Sequence, residues 1–124
     1  MCLFSFLFKD SYPSIPNGLI NLIHYDDAAE CVITAFDKKV KNQVFLVSDG
    51  VPISRTDICK AGLVNPDFAG KKEPKFEGDA SVIDGKKYDT TKAKSELGFQ
   101  AKFKDFASFM AEGYKMEKPC DLLQ

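Results

Sequence analysis

Between Leu19 and Phe36 the spacing of apolar positions changes. Leu19, Ile20, Leu22, Ile23 and Tyr25 crowd into seven residues rich in branched and aromatic side chains, which predicts a strand. The next stretch, DAAECVITAFDKK, sets Ala28, Ala29, Val32, Ile33, Ala35 and Phe36 near one stripe, with Glu30, Thr34, Asp37 and Lys38 away from it. That is an amphipathic helix with Asp26 or Asp27 at its N-cap and lysines suited to the negative pole of its dipole. In NQVFLVSDG the run Val44 to Val47 predicts a second strand, closed by the turn pair Asp49 and Gly50. Strand, helix, strand in this order predicts a parallel crossover unit.

Further along, Ser54 with Asp57 three residues on reads as a capping box that opens a short helix through Cys59 and Ala61. Residues 62–85 turn polar, with Pro66, Pro74, lysines and glycines, and predict a long surface loop. KKYDTTKAKSELGF predicts a short extended piece and a helix capped by Thr90 or Thr91 and stopped by Gly98. KFKDFASFMAEGYKMEK predicts a last amphipathic helix with Phe103, Phe106, Met110, Gly113 and Tyr114 on one side. The expected fold is α/β, one unit with a small, mainly parallel sheet and helices packed on it. Residues 1–18 form an apolar segment and a loop ahead of a lobe spanning 19–124.

Composition narrows the partners. The chain has 124 residues, is 44% hydrophobic and 28% charged, and carries a formal net charge of -1, so it has no broad field to attract nucleic acid or an anionic membrane. Its apolar start, MCLFSFLF, is too short to cross a bilayer and lacks the basic flank of a secretory signal. Cys2, Cys31, Cys59 and Cys120 form no C-x-x-C pair. Reduced thiols in a cytoplasmic setting are expected.

The chain's only histidine, His24, stands two residues from Asp26, and on a strand both side chains could face one side. A third ligand is not apparent, so no metal is expected. Neither G-x-G-x-x-G, G-x-x-x-x-G-K-[ST] nor G-x-S-x-G occurs, which leaves no phosphate cradle and no nucleophile elbow. Tyr88 and Lys92 in YDTTK have the Y-x-x-x-K spacing by which one helical face can hold a tyrosine acid/base beside a lysine. Asp89, Thr90 and Thr91 between them suggest that Tyr88 ends a strand while Lys92 lies inside the next helix.

INLIHYDDAAECV, then VFLVSDGVPISRTDI, then GKKYDTTKAKSELGF resemble, in that order, the C-terminal, substrate-side portion of extended or atypical short-chain dehydrogenases of the NAD-dependent epimerase/dehydratase type. The resemblance implies a partial Rossmann-type fold and NAD or NADP as the cofactor of the full-length family, with none expected for this chain alone. It also implies oxidoreductase or isomerase chemistry on a small-molecule substrate once a cofactor-bearing half is supplied. In that family the glycine-rich loop and the catalytic Tyr-x-x-x-Lys belong upstream of the first landmark, so Tyr88 and Lys92 are weak catalytic candidates. Asn21, His24 and Asp49, at strand ends, are the expected substrate-side residues. Nucleotide-sugar epimerases carry an arginine just ahead of the histidine-containing strand, and Ile20 stands there instead, so a nucleotide-diphosphate sugar is not implied. Arg55, the only arginine, reads as a surface or helix-start residue. The competing expectation is a non-catalytic binding or regulatory module that pairs with a homologous full-length subunit.

Overall fold

The computed structural model describes residues 7–112. Its fold is mixed α/β. Helices α1 (Tyr25–Asp37), α2 (Arg55–Val64) and α3 (Phe106–Ala111) combine with short strands β1 (Ser11–Tyr12), β2 (Leu19–Ile20), β3 (Ile53–Ser54) and β4 (Lys75–Phe76). β1 pairs in parallel with β4, Ser11 opposite Lys75, and β2 pairs antiparallel with β3, Leu19 opposite Ser54. Among the described residues the sheet content is therefore one parallel and one antiparallel pair, not the mainly parallel sheet expected. The expected strand over 19–25 is ladder-bonded only at Leu19–Ile20, and Tyr25 already belongs to α1.

α2 begins as its sequence predicts. Ser54 Oγ accepts the Asp57 N–H at 3.1 Å and donates to Asp57 Oδ2 at 2.7 Å, satisfying an end donor that the helix cannot satisfy itself. Arg55 Nη1 donates to the Ile15 carbonyl, and its guanidinium occupies the space that a Cβ on Gly18 would need. The arginine thus clips the turn before β2 to the start of α2. The expected loop over 62–85 is partly structured. α2 runs on to Val64, a 3-10 turn at Pro66–Phe68 buries Phe68, and β4 lies against β1.

Two clusters hold the chain. The first joins Leu7, Cys59, Ala61, Phe68 and Met110, with Phe106 and Phe109 packed against them, so α2 and α3 share one core. The second is thinner: Cys31 of α1 meets Leu97 and Phe99, with Ile23, Phe45 and Val47 against them. Gly98, at φ +66°, ends the π-helical turn Ala93–Leu97 in the left-handed conformation that favours glycine and delivers Leu97 and Phe99 to this cluster. The expected threonine cap is not formed: the turn starts after Lys92 with no side-chain cap bond, while ahead of it Asp89 Oδ1 accepts the Thr91 N–H at 2.9 Å and Thr90 is buried. In α3 the N-cap is Asp105, which takes the Ser108 N–H at 2.8 Å. Phe106 and Met110 face the core as expected, while Gly113 and Tyr114 lie outside the described residues.

α1 departs most from expectation. Its buried residues are Asp27 and Cys31, with Ala28, Thr34 and Ala35 half-buried beside them. The larger members of the apolar stripe face outward: Val32 is 64% exposed, Ile33 53% and Phe36 82%. The helix therefore lays its short side chains on the thin second cluster. No helix among the described residues is long and apolar enough to cross a membrane.

Candidate functional site

Two adjoining clefts meet at Lys94. One, of about 410 Å³, is lined by Gly50, Lys87, Tyr88, Asp89, Thr90 and Lys94. The other, of about 340 Å³, is lined by Asp49, Lys94, Gln100, Ala101 and Lys104. Gly50, at φ +87°, turns the chain away after Ser48, whose Oγ accepts the Gly50 N–H at 3.1 Å. Burial pushes the Asp49 carboxyl up, the nearby Asp105 charge adds to that push, and a hydrogen bond from the Val51 N–H to Oδ1 opposes it. Asp89 and Asp105 go the other way. Donors from Thr91 and Ser108 hold both carboxyls below their ordinary value.

Of the residues singled out in the sequence, Asp49 and Tyr88 reach these clefts. Asn21 does not; its side chain is structural. Its Nδ2 donates to the Lys86 carbonyl at 2.5 Å and its Oδ1 accepts the Tyr88 N–H at 3.0 Å. One residue pair earlier the Leu19 N–H donates to the Asp84 carbonyl at 2.7 Å. In a parallel ladder the backbone of residue 21 would make those two bonds to 86 and 88. The amide of the side chain makes them instead, which extends the pairing of 84–88 with 19–21 after the backbone has stopped contributing. Gly85, at φ +100°, brings that segment so close that a Cβ would run into the Leu19 carbonyl.

His24 is also structural. It is the N-cap of α1, where Nδ1 accepts the Asp26 N–H at 3.2 Å, and its ring lies 3.8 Å from that of Phe103 and 5.0 Å from that of Phe109, centroid to centroid. The cap expected at Asp26 or Asp27 falls two residues before the first of them, and Asp27 has other work. Only 3% exposed, it accepts the Lys102 N–H through Oδ1 at 2.9 Å and the Phe103 N–H through Oδ2 at 3.1 Å. Those bonds fasten the approach to α3 onto α1. An aspartate in an apolar helix register hints at such a partner, but the sequence does not say which.

The pair Tyr88 and Lys92 does not act as a unit. Tyr88 precedes the helical turn and is 43% exposed, whereas Lys92 Nζ donates to the Val44 carbonyl at 3.2 Å and rests 4.6 Å from the centre of the Phe45 ring. Among the described residues no three His, Cys, Asp or Glu side chains converge as metal ligands. Cys31 and Cys59 are buried free thiols, and burial, with the Glu73 charge secondary, pushes Cys59 up to about 11.

The run Val44 to Val47, just ahead of Asp49 in the chain, is not a paired strand among the described residues. Phe45 and Val47 turn into the second cluster while Val44 and Leu46 are 81% and 50% exposed, an alternation of period two. Among the described residues the backbone N–H groups of Val44 to Val47 make no hydrogen bond, and Asp49 N–H to the Leu22 carbonyl, 2.8 Å, is what remains of a pairing with the segment before α1. Compared with models of known families, with curated proteins and with solved structures, the chain matches none.

Proposed function

We propose that the chain is the substrate-side lobe of an NAD-dependent epimerase/dehydratase-type protein with a partial Rossmann-type fold, inactive by itself and completed by a cofactor-bearing half or a homologous subunit. The observation that carries this reading is the segment 44–47. It follows a segment, a helix and a turn in crossover order, alternates in exposure like a strand, and leaves its N–H groups without partners among the described residues. Such an edge is costly to leave open and is matched by a further sheet.

The residues present do not fit a dinucleotide. No glycine-rich turn exists for a pyrophosphate, and Lys92 is committed to Val44 and Phe45. No step of the chemistry is therefore assigned to this chain. Its part is to place Asp49, Tyr88 and Lys94 around a small-molecule substrate that the other half would process. The buried thiols of Cys31 and Cys59 support a reducing, cytoplasmic setting.

Calorimetry and amide exchange test this together. The expected result is no heat on titrating NADH or NADPH into the chain, fast exchange at Val44 to Val47, and slowed exchange there when the cofactor-binding half of a homologous dehydrogenase is added. Micromolar nicotinamide binding that is lost in Lys92→Ala would overturn the proposal in favour of a complete enzyme.

A further inference from the structure

Three Asn-Gly or Asp-Gly pairs occur in the chain: Asn17–Gly18, Asp49–Gly50 and Asp84–Gly85. In such pairs the glycine nitrogen can attack the side-chain carbonyl carbon of the residue before it, because no Cβ on the glycine stands in the way. The fold treats the three differently. Asn17 Nδ2 donates to the Ala80 carbonyl at 2.6 Å, while Gly18 is buried with the Arg55 guanidinium against it and its N–H donates to the Ile15 carbonyl at 3.4 Å. Asp49 Oδ1 accepts the Val51 N–H at 2.9 Å, and the Gly50 N–H turns to Ser48 Oγ at 3.1 Å. In both pairs the two reacting groups are thus held apart by third parties. In the remaining pair they are bonded to each other: the Gly85 N–H donates to Asp84 Oδ1 at 2.6 Å, and Asp84 is exposed to water.

We propose that Asp84 is a site of self-modification, at which the Gly85 nitrogen closes on the Asp84 carboxyl and water reopens the ring as isoaspartate. The main chain of residue 84 is pinned, its carbonyl accepting the Leu19 N–H at 2.7 Å, so the side chain stays folded back beside the next nitrogen. In the first step the neutral carboxyl is attacked: the bond from the Gly85 nitrogen to Cγ forms, and the amide proton leaves with the carboxyl hydroxyl as one water. In the second step one water adds to the five-membered succinimide. Opening at the new bond restores aspartate, whereas opening at the original peptide bond leaves Gly85 joined to residue 84 through Cγ. One water leaves and one enters, and nothing is oxidised or reduced.

The product changes the architecture at this point. The main chain gains one carbon between residues 84 and 85, and the carbonyl that accepted the Leu19 N–H becomes a carboxylate beside the chain. Gly85 already lies so close to Leu19 that there is no room for an added atom. Lys86 and Tyr88 then move out of register with Asn21, whose side chain bonds to both. Modification therefore releases 84–88 from 19–21, and it does so whether or not the chain has the function proposed above.

The test is to hold the full, folded chain in mildly acidic buffer at physiological temperature for several weeks and to map its peptides by chromatography and mass spectrometry. The expected result is isoaspartate at position 84, separated from the unmodified peptide at equal mass and methylated by an isoaspartyl methyltransferase. It is expected to form several-fold faster than at Asp49, with Asn17 unchanged. In the urea-unfolded chain Asn17 is expected to react first, since an amide, unlike a carboxylate, is electrophilic without a proton. Asp84→Glu, which would require a six-membered ring, is expected to abolish the modification, and Asp84→Asn to hasten it. In the aged chain the Leu19 and Tyr88 amides are expected to exchange faster. Absence of isoaspartate at 84 overturns the proposal, as do equal rates at 84 and 49 or prior reaction of Asn17 in the folded chain. Unchanged exchange at Leu19 and Tyr88 in the modified chain overturns the release.

Discussion

α1 and α2 are both single helices of ordinary length, yet they are used differently. α2, ten residues long, buries Ile58, Cys59, Ala61 and Gly62, and its Cys59 and Ala61 share a cluster with Phe68 of the 3-10 turn and Met110 of α3. α1, thirteen residues long, buries Cys31 and an aspartate. The α2 half is enclosed by its own chain, whereas the α1 half directs its largest apolar side chains outward. Apolar area removed from water is what stabilises a fold, so the α2 half contributes most of the stability and the α1 half keeps surface for something else.

The contrast can be broken at its strong end. Ile58→Ala, at a side chain 1% exposed, is expected to cost about 2–5 kcal/mol in urea unfolding, because the packed surroundings do not collapse into the cavity. Val32→Ala, the same kind of truncation on the exposed face of α1, is expected to stay within about 0.5 kcal/mol in dilute solution. Equal losses at the two positions would show that the halves do not differ.

Asp27 tests what holds the α1 half in place of a thick core. Replacing it with Ala orphans the Lys102 and Phe103 N–H groups and is expected to cost about 1–3 kcal/mol by the same measurement. Asn21→Leu, similar in size but unable to bond, is expected to cost about 1 kcal/mol and to speed exchange at the Tyr88 amide in particular. A loss spread evenly over the chain, with no local change at Tyr88, would remove the case for Asn21 as a local tether.

What the sequence reveals and conceals follows the same division. The Ser54 and Asp57 box, the stop at Gly98 and the inward side of α3 are legible because each depends on neighbours a few residues away. The direction of the α1 stripe is not legible. A period of 3.6 marks an apolar face but does not say whether the chain itself supplies what covers it, and here Val32, Ile33 and Phe36 lie outside. The expected strand at Val44 to Val47 shows the same limit: its alternation is present, but a ladder needs a neighbour. Among candidate site residues, Asp49 and Tyr88 reach a cleft, whereas Asn21 and His24 are taken by hydrogen bonds and ring contacts to residues more than sixty positions away, which local spacing does not encode.

The Asn21 side chain has one more consequence. Most strand pairing is indifferent to the identity of the side chain, since the backbone supplies both donor and acceptor whatever the letter. At position 21 the ladder depends on a single residue type. Asp lacks the donor that the Lys86 carbonyl needs, and Leu lacks both groups, while Gln would reach too far by one methylene. A position that looks like an ordinary polar residue is therefore one whose residue type the architecture sets, although losing it costs less than losing a buried core side chain.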